Sequence, residues 1–139
     1  MLGTQKMNRI IQEDNTGCGL ACVAMVTGKS YQEIKLLAIH LNICNEKGPY
    51  YTRAKDICSL LKYYRIGFSK VRHVKNWSSI NDNSIVAINY DEKLDTWHWV
   101  VYINGYINGY VLDPRKKVKS IERKDWNRMR PRSCIPITI

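Results

Sequence analysis

The sequence predicts an α+β domain in which N-terminal helices pack on a C-terminal antiparallel sheet. Apolar residues recur with helical spacing in the first half of the chain, whereas the second half contains short β-branched and aromatic runs separated by turn residues. Helices followed by strands, rather than alternating with them, favour this class over a parallel α/β fold. The 139 residues, 45% of them hydrophobic, suffice for a single domain over 1–139 with its own core.

Three helices are predicted in the N-terminal half. The first begins near Cys18 and contains the uncharged stretch 20–26, and a helix that is apolar on every side belongs in the centre of a domain. The second begins at Ser30, which with Glu33 has the spacing of a capping box. The third is predicted to be capped by Thr52 and to end by Gly67. The apolar faces of the second and third helices contain Ile34, Leu37, Ala38 and Leu41, and Ala54, Ile57, Cys58 and Leu61.

Three strands are predicted in the second half, because the runs 84–90, 97–103 and 110–112 are rich in β-branched and aromatic residues. Two Asn-Gly pairs, at 104–105 and 108–109, favour a hairpin between the last two strands. An antiparallel sheet is therefore expected.

No membrane span, secretion signal or cofactor is indicated. The longest apolar runs fall far short of the roughly 18 residues that a transmembrane helix needs, and the N-terminus lacks an apolar signal region, so a cytoplasmic location is expected. The five cysteines form no disulfide framework, and at least one thiol must be free. A zinc site is not expected, because Cys18 and Cys22 are the one close pair and no histidine lies near them in sequence.

The chain is strongly basic, with 22 Lys+Arg against 12 Asp+Glu and a formal net charge of +10. Much of the excess of basic over acidic residues lies between residues 113 and 132, a segment that we interpret as a solvated surface. No zinc-finger spacing or RNA-binding aromatic pattern accompanies the charge, so no specific nucleic-acid partner is expected. The nine basic residues of this segment are Arg115, Lys116, Lys117, Lys119, Arg123, Lys124, Arg128, Arg130 and Arg132.

Cys18 is the candidate nucleophile. It stands at the start of the first helix, where backbone amides and the positive end of the helix dipole favour a thiolate over a thiol. Its neighbours Gly17 and Gly19 are small enough to let a substrate backbone approach the sulfur. The remaining cysteines lack such neighbours and are interpreted as small core residues: Cys22, Cys44, Cys58 and Cys134.

A cysteine nucleophile needs a base, and the base needs an orienting acceptor. His98 is the best candidate base, because it lies on a strand between two tryptophans that would restrict water. His40 falls off the apolar face of its helix, and His73 lies among basic residues that disfavour an imidazolium. Asp113, at the end of the next strand, is the candidate acceptor, although an Asp-Pro pair is also a common strand-ending turn. Gln12 is a candidate donor to a tetrahedral oxyanion.

In combination, these residues resemble the signature of the bacteriocin-processing, or double-glycine leader, peptidase family. The stretch 12–25 contains a glutamine followed by Cys-Gly-x-Ala-Cys-x-Ala-Met, as in that family. The segment 98–101, His-Trp-Val-Val, resembles the family's histidine at the start of a hydrophobic strand. The segment 112–114, Leu-Asp-Pro, resembles the end of its second strand. With a similar closing segment at 121–126, the resemblance covers residues 8–139.

The resemblance implies a papain-like cysteine peptidase fold, in which a central nucleophile helix packs on the antiparallel sheet that carries the histidine and aspartate. It implies that Cys18 is the nucleophile, His98 the base and then the acid, Asp113 the residue that orients the imidazole, and Gln12 the oxyanion donor. Because all four positions are filled, an active enzyme without cofactor or metal is expected, acting on a peptide or protein substrate.

The resemblance leaves the biological setting open. Family members usually precede an ABC exporter and cut leader peptides after Gly-Gly, whereas this chain contains no membrane span or nucleotide-binding loop. The sequence is compatible with three settings: an excised exporter domain, a separate peptidase, or the catalytic part of a toxin delivered into a target cell. The basic charge favours the toxin, because electrostatic steering would assist an acidic immunity protein or inhibitor.

The type of reaction is open as well. A thioester formed on a cysteine can be resolved in peptide hydrolysis, in side-chain deamidation or by an amine acceptor. The motif match favours a peptidase, with a deamidase or acyltransferase as the alternative. A basic binding module with a vestigial triad is the non-enzymatic interpretation.

Overall fold

Three helices precede the main strands of the sheet in the computed structural model, which describes residues 6–105 and 109–138. The helices are α1 (Cys18–Thr27), α2 (Tyr31–His40) and α3 (Ala54–Tyr63). All three lie where the apolar spacing predicts them. Helices followed by an antiparallel sheet confirm the predicted α+β class.

The sheet has six strands and is antiparallel in every pairing among the described residues. Its order is β1-β6-β3-β4-β5, and β2 also pairs with β6. The predicted strands correspond to β3, β4 and β5. The second Asn-Gly pair lies partly outside the described residues, which omit 106–108. The strands are β1 (Gly67–Phe68), β2 (Arg72–His73), β3 (Ser84–Asp91), β4 (Thr96–Ile103), β5 (Tyr110–Leu112) and β6 (Pro131–Thr138).

The sequence analysis does not predict β6, although this strand lies inside the sheet between β1 and β3. The segment does not look like a central strand because it contains Pro131 and Pro136, and a proline cannot donate a backbone hydrogen bond to a neighbouring strand. The strand is nevertheless part of the core. Cys134 lies opposite Val86 and Ile135 opposite Ile85 in the β3–β6 register.

Apolar side chains cover both faces of the sheet. On one face, α1 packs between the sheet and the other two helices, and residues 19–26 of α1 are all buried. This confirms the central position that a helix apolar on every side predicts. A second cluster covers the other face, where two 3-10 turns, Trp77–Ser79 and Trp126–Arg128, bring tryptophans against it. The buried members of this second cluster are Val74, Ile80, Val86, Ile88, Val100, Tyr102, Val111, Met129 and Cys134.

The start of α2 follows the capping prediction in part. The hydroxyl of Ser30 accepts a hydrogen bond from the amide of Glu33 at 3.1 Å, as predicted. The carboxylate of Glu33 accepts instead from the hydroxyl of Tyr64 at 2.9 Å, so it contacts the end of α3. One half of the capping box is therefore replaced by a tertiary hydrogen bond between two helices.

The start of α3 differs from the prediction. Arg53, not Thr52, is the N-cap residue, and its amide donates to the carboxylate of Asp56 at 2.8 Å. Thr52 is wrong as the cap because its side chain is buried beside Gly19, facing α1 rather than the first turn of α3. The carboxylate of Asp56 thus satisfies the backbone at the N-cap of α3.

Neither a disulfide nor a metal cluster is present in the described part of the chain. All five cysteines are free thiols. Within residues 6–105 and 109–138, no group of three His, Cys, Asp or Glu side chains could hold a metal ion. No helix of the same residues is long and apolar enough to cross a membrane. The described fold is therefore held by packing and hydrogen bonds.

Truncation of Ile135 tests the role of β6 in the core. Ile135 is 0% exposed, so we expect Ile135→Ala to lower the free energy of unfolding by about 2–5 kcal/mol through lost burial and a cavity. Ile121→Ala is the matched control, because Ile121 is 69% exposed and its truncation should change stability by less than about 0.5 kcal/mol. Urea denaturation followed by fluorescence measures both. Equal effects of the two substitutions would contradict this role of β6.

Candidate active site

Cys18 is the first residue of α1 and lies directly against β4. The backbone amide of Trp99 donates to the Cys18 sulfur at 3.4 Å. This contact joins the start of the central helix to β4, which lies between β3 and β5 in the sheet. The sulfur is half-buried and lines a cleft that also contains His98 and Gln12.

His98 is buried next to Trp99 on β4 and faces Asp113. Its Nε2 lies 2.7 Å from Oδ1 of Asp113. An ionised carboxylate only accepts, so Nε2 carries the proton of this hydrogen bond and Nδ1 is the nitrogen left for Cys18. Burial alone lowers the pKa of His98, but the hydrogen bonds with Asp113 and Cys18 outweigh it, and the pKa lies above its ordinary value.

Asp113 follows β5 directly and is 0% exposed. Its Oδ1 accepts from His98 Nε2 and from the amide of Arg115 at 2.8 Å, and its Oδ2 accepts from Arg123 Nη1 at 2.7 Å. Burial favours the neutral acid, but the hydrogen bond and charge of His98, the hydrogen bond from the Arg115 amide and the hydrogen bond from the Arg123 guanidinium outweigh it and lower the pKa of Asp113 to about 2. The carboxylate is therefore ionised throughout the physiological pH range.

Arg123 is the site residue that the sequence analysis misses. The sequence predicts that Arg123 lies on a solvated basic surface, but this prediction is wrong. Its guanidinium is largely buried and donates a hydrogen bond to the carboxylate of Asp113. The same guanidinium makes two hydrogen bonds with the carboxylate of Asp125, at 2.8 and 2.7 Å. Its backbone also exchanges two hydrogen bonds with Val111 of β5. Sequence spacing could not show this, because one arginine among nine basic residues has no distinguishing neighbour.

The N-terminal segment is tied to the turn that follows Asp113. The amide of Gln12 donates to the carbonyl of Pro114 at 2.9 Å. The guanidinium of Arg9 binds three backbone carbonyls of the same region, those of Asp113, Arg115 and Val118. These contacts place Gln12 on the cleft beside the candidate catalytic residues.

Gln12 is 8% exposed and its side-chain amide is partly engaged. Nε2 donates to the carbonyls of Asp14 at 2.9 Å and Asn15 at 3.1 Å, while Oε1 is buried without a partner. Both amide hydrogens are therefore used within the loop before α1. As an oxyanion donor, Gln12 would have to share one of them with the substrate.

The glycines beside Cys18 allow other side chains to pack close to the backbone. A Cβ on Gly17 would lie 1.9 Å from the Tyr31 hydroxyl, and a Cβ on Gly19 would lie 1.9 Å from Oγ1 of Thr52. Both distances are far inside van der Waals contact. Packing thus gives a reason for glycine at both positions, and the idea that these glycines also let a substrate backbone approach the sulfur stays a prediction.

The cleft around Cys18 has two unlike walls. On one side, a cavity of about 280 Å³ is lined by Tyr51, Trp97 and Trp99. On the other side, the cleft is bordered by the basic run 115–117. The acidic residues at this cleft are Glu13, Asp14 and Asp91, of which Asp14 is paired with Lys35.

The two other histidines, which the sequence analysis dismisses as candidate bases, are exposed on the surface. His40 ends α2, and His73 lies in the short strand β2. The structure thus brings together four predicted residues, Cys18, His98, Asp113 and Gln12, and leaves His40 and His73 apart from them.

Comparison with protein families gives one clear match. The model of the peptidase C39 family matches residues 6–129, which include every residue of the site described above. Comparison with curated proteins finds no match.

Two solved structures have a similar fold. One is the peptidase domain of Streptococcus ComA, described as a bifunctional ABC transporter involved in a quorum-sensing pathway; it has a TM-score of 0.63 and 23% identity, and the match covers 96% of this chain and 98% of that one. The other is a double-glycine-motif protease from an AMS/PCAT transporter in complex with the leader peptide, with a TM-score of 0.62, 18% identity, and coverage of 97% and 93%. At these identities, the likeness shows a shared papain-like fold.

Alkylation of the five thiols tests the environment of Cys18. We expect iodoacetamide at pH 6 to label Cys18 at least about tenfold faster than the other cysteines, because Cys18 lies at the open cleft beside His98, the proposed base. Burial raises the pKa of the other four thiols. Peptide mass spectrometry measures each rate, and His98→Gln should remove the difference. Labelling of Cys44 or Cys58 as fast as Cys18 would contradict the expectation.

Proposed function

Since this chain belongs to the peptidase C39 family and is a papain-like cysteine peptidase, we propose that it cleaves peptide bonds with Cys18, His98 and Asp113 as its catalytic triad. The observation that carries this proposal is the chain of contacts along β4. Trp99 binds the Cys18 sulfur, and the adjacent His98 is hydrogen-bonded to the buried Asp113. Nucleophile, base and orienting acceptor therefore occupy one connected unit.

The proposed reaction has two stages. The Cys18 thiolate attacks the carbonyl carbon of the scissile bond, and the imidazolium of His98 gives its Nδ1 proton to the leaving amine, which departs and leaves a thioester on Cys18. His98 then takes a proton from water, the resulting hydroxide attacks the thioester, and the tetrahedral intermediate collapses to the acid product and the Cys18 thiolate, which again lies beside the His98 imidazolium. Asp113 holds Nε2 throughout and stabilises the imidazolium.

Gln12 is proposed to stabilise the oxyanion of the tetrahedral intermediate together with the amide of Cys18. The first amides of a helix have no intrahelical partner, so the N–H of Cys18 is free to point at developing negative charge. Gln12 lies on the same cleft, with its amide nitrogen bonded to two loop carbonyls. An oxyanion is a better acceptor than a neutral carbonyl, which favours transfer of one of these hydrogen bonds in the transition state.

The proposed substrate is a leader peptide cut after a Gly-Gly pair. The support is the family match and the likeness to a double-glycine protease whose structure contains a leader peptide. The aromatic cavity beside Cys18, formed by Tyr51, Trp97 and Trp99, suits apolar side chains of such a peptide. A deamidase or acyltransferase would use the same four residues, and the next experiment separates these activities.

Mass spectrometry of a treated bacterial lysate tests the reaction. The wild-type protein should create new protein termini after Gly-Gly, and Cys18→Ala and His98→Ala should reduce their formation by at least about 10³-fold, because each removes a reacting group. Mass increases of 1 Da at glutamine or asparagine without cleavage would instead indicate a deamidase, and adducts with added amines an acyltransferase. Signals that are equal for wild type and Cys18→Ala would contradict any enzymatic function of Cys18.

An acidic protein inhibitor is the partner that we propose for this enzyme in a toxin setting. The observation in its favour is the basic border of the cleft, where Lys116 and Lys117 are exposed and form no ion pair among the described residues. The overall charge of +10 adds long-range attraction for an acidic protein. An inhibitor bound there would cover Cys18 and exclude substrate.

Charge reversal tests this partner. Wild-type protein immobilised on beads should capture an acidic inhibitor from a lysate of its native host, and Lys116→Glu with Lys117→Glu should slow association about tenfold or more at low salt. The matched control reverses Lys70 and Lys75, which are exposed beside β2, a strand that pairs with β6, and which do not line the cleft; this variant should leave association unchanged. Failure to recover an acidic partner, or equal loss in both double variants, would contradict the proposal.

A further inference from the structure

Arg123 completes a line of charged groups that starts at the nucleophile. His98 binds Oδ1 of Asp113, and Arg123 binds Oδ2 of the same carboxylate, each at 2.7 Å. The two oxygens thus have different partners, one facing the imidazole and one facing the guanidinium. A carboxylate held at both oxygens cannot rotate without breaking a charge-assisted hydrogen bond.

Arg123 is itself held in place. Two hydrogen bonds from its guanidinium to Asp125 have the fork geometry of a bidentate arginine–carboxylate pair. Its amide donates to the carbonyl of Val111 at 2.8 Å and its carbonyl accepts from the amide of Val111 at 3.0 Å, which fixes its backbone to β5. The guanidinium therefore reaches Asp113 from a rigid position rather than from a mobile surface chain.

We infer that Arg123 is a positioning residue of the active site, which acts through Asp113 on the orientation and charge of His98. The inference rests on the proposed roles of His98 and Asp113. Arg123 touches neither the sulfur nor the expected place of the substrate, so it performs no step of the reaction. Its guanidinium would fix the carboxylate and neutralise part of its charge, and Asp125 would hold the guanidinium.

Removal of Arg123 has a defined electrostatic sign. Several charged or titratable groups among the described residues contact the imidazole and its partner carboxylate or line the cleft beside them. They are Arg9, Glu13, Asp14, Cys18, Cys22, Tyr51, Asp91, Asp113, Arg115, Lys116, Lys117, Arg123 and Asp125. Without the positive charge of Arg123, the full charge of Asp113 acts on His98 and favours the imidazolium. The alkaline limb of activity, where the imidazolium loses its proton, should therefore move to higher pH.

The test compares Arg123→Gln, Arg123→Lys and the control Arg128→Gln, because Arg128 is exposed in the same basic segment and has no side-chain hydrogen bond among the described residues. The pH dependence of kcat/KM is measured on a peptide that contains Gly-Gly. Arg123→Gln should lower kcat/KM about 10- to 100-fold and raise the alkaline limb by about one pH unit. Arg123→Lys keeps the charge and should restore the wild-type limb, and Arg128→Gln should match the wild type.

Labelling of Cys18 is a second readout, which separates a failure of the proposed triad from a failure of the proposed role of Arg123. The pH dependence of iodoacetamide labelling at Cys18 needs no substrate, and its alkaline inflection should shift in Arg123→Gln in the same direction. A wild-type protein whose Cys18 labels like Cys44 at every pH would overturn the proposed triad itself. A normal wild-type profile that Arg123→Gln leaves unshifted would overturn only the role of Arg123.

Asp125→Asn covers the case in which Arg123→Gln does not fold, as judged by urea denaturation. This substitution keeps the charge of Arg123 beside Asp113 but removes the carboxylate that holds the guanidinium. We expect kcat/KM to fall about 10-fold without a shift of the alkaline limb to higher pH, because this substitution removes a negative charge. Wild-type kcat/KM in folded Asp125→Asn would count against a positioning role for Arg123.

Discussion

The buried negative charge of Asp113 is the constraint on which the rest of the site depends. An ionised carboxylate without solvent costs several kcal/mol unless hydrogen bonds and opposite charges compensate it. Here the compensation comes from three separate parts of the chain: His98 on β4, the amide of Arg115 in the turn after β5, and Arg123 in the segment between β5 and β6. Compensating the charge of Asp113 therefore brings together the segments that form one wall of the cleft.

The nucleophile is positioned by packing instead of by charge. The helix α1 is apolar on all sides and buried between the sheet and two other helices, so its start has one position relative to β4. Gly17 and Gly19 allow Tyr31 and Thr52 to approach the backbone next to Cys18. A substitution at either glycine would move the start of α1, and with it the contact between the Cys18 sulfur and the amide of Trp99.

The sequence alone predicts the parts of this protein whose signals are local. Periodicity gives the three helices and strands β3 to β5, and the motif spacing picks out Cys18, His98, Asp113 and Gln12. Its errors have physical causes. The strand β6 is not predicted because it contains prolines, which are rarely found in the middle of a sheet. Thr52 does not cap α3 because its side chain packs against α1. The role of Arg123 can be recognised only from the fold, which places its guanidinium against the carboxylate of Asp113, ten residues earlier in the chain.

The basic segment after Asp113 shows why charge counts alone do not assign function. The same short stretch contains Arg123, which is paired with two carboxylates, and Lys116 and Lys117, which lie at the edge of the cleft and form no ion pair within residues 6–105 and 109–138. The buried arginine can act on the chemistry of His98 because little solvent screens it, whereas the exposed lysines can act only on what approaches the cleft. Substrate and an acidic inhibitor would meet the same two lysines beside Cys18, so inhibition through this surface should be competitive with substrate.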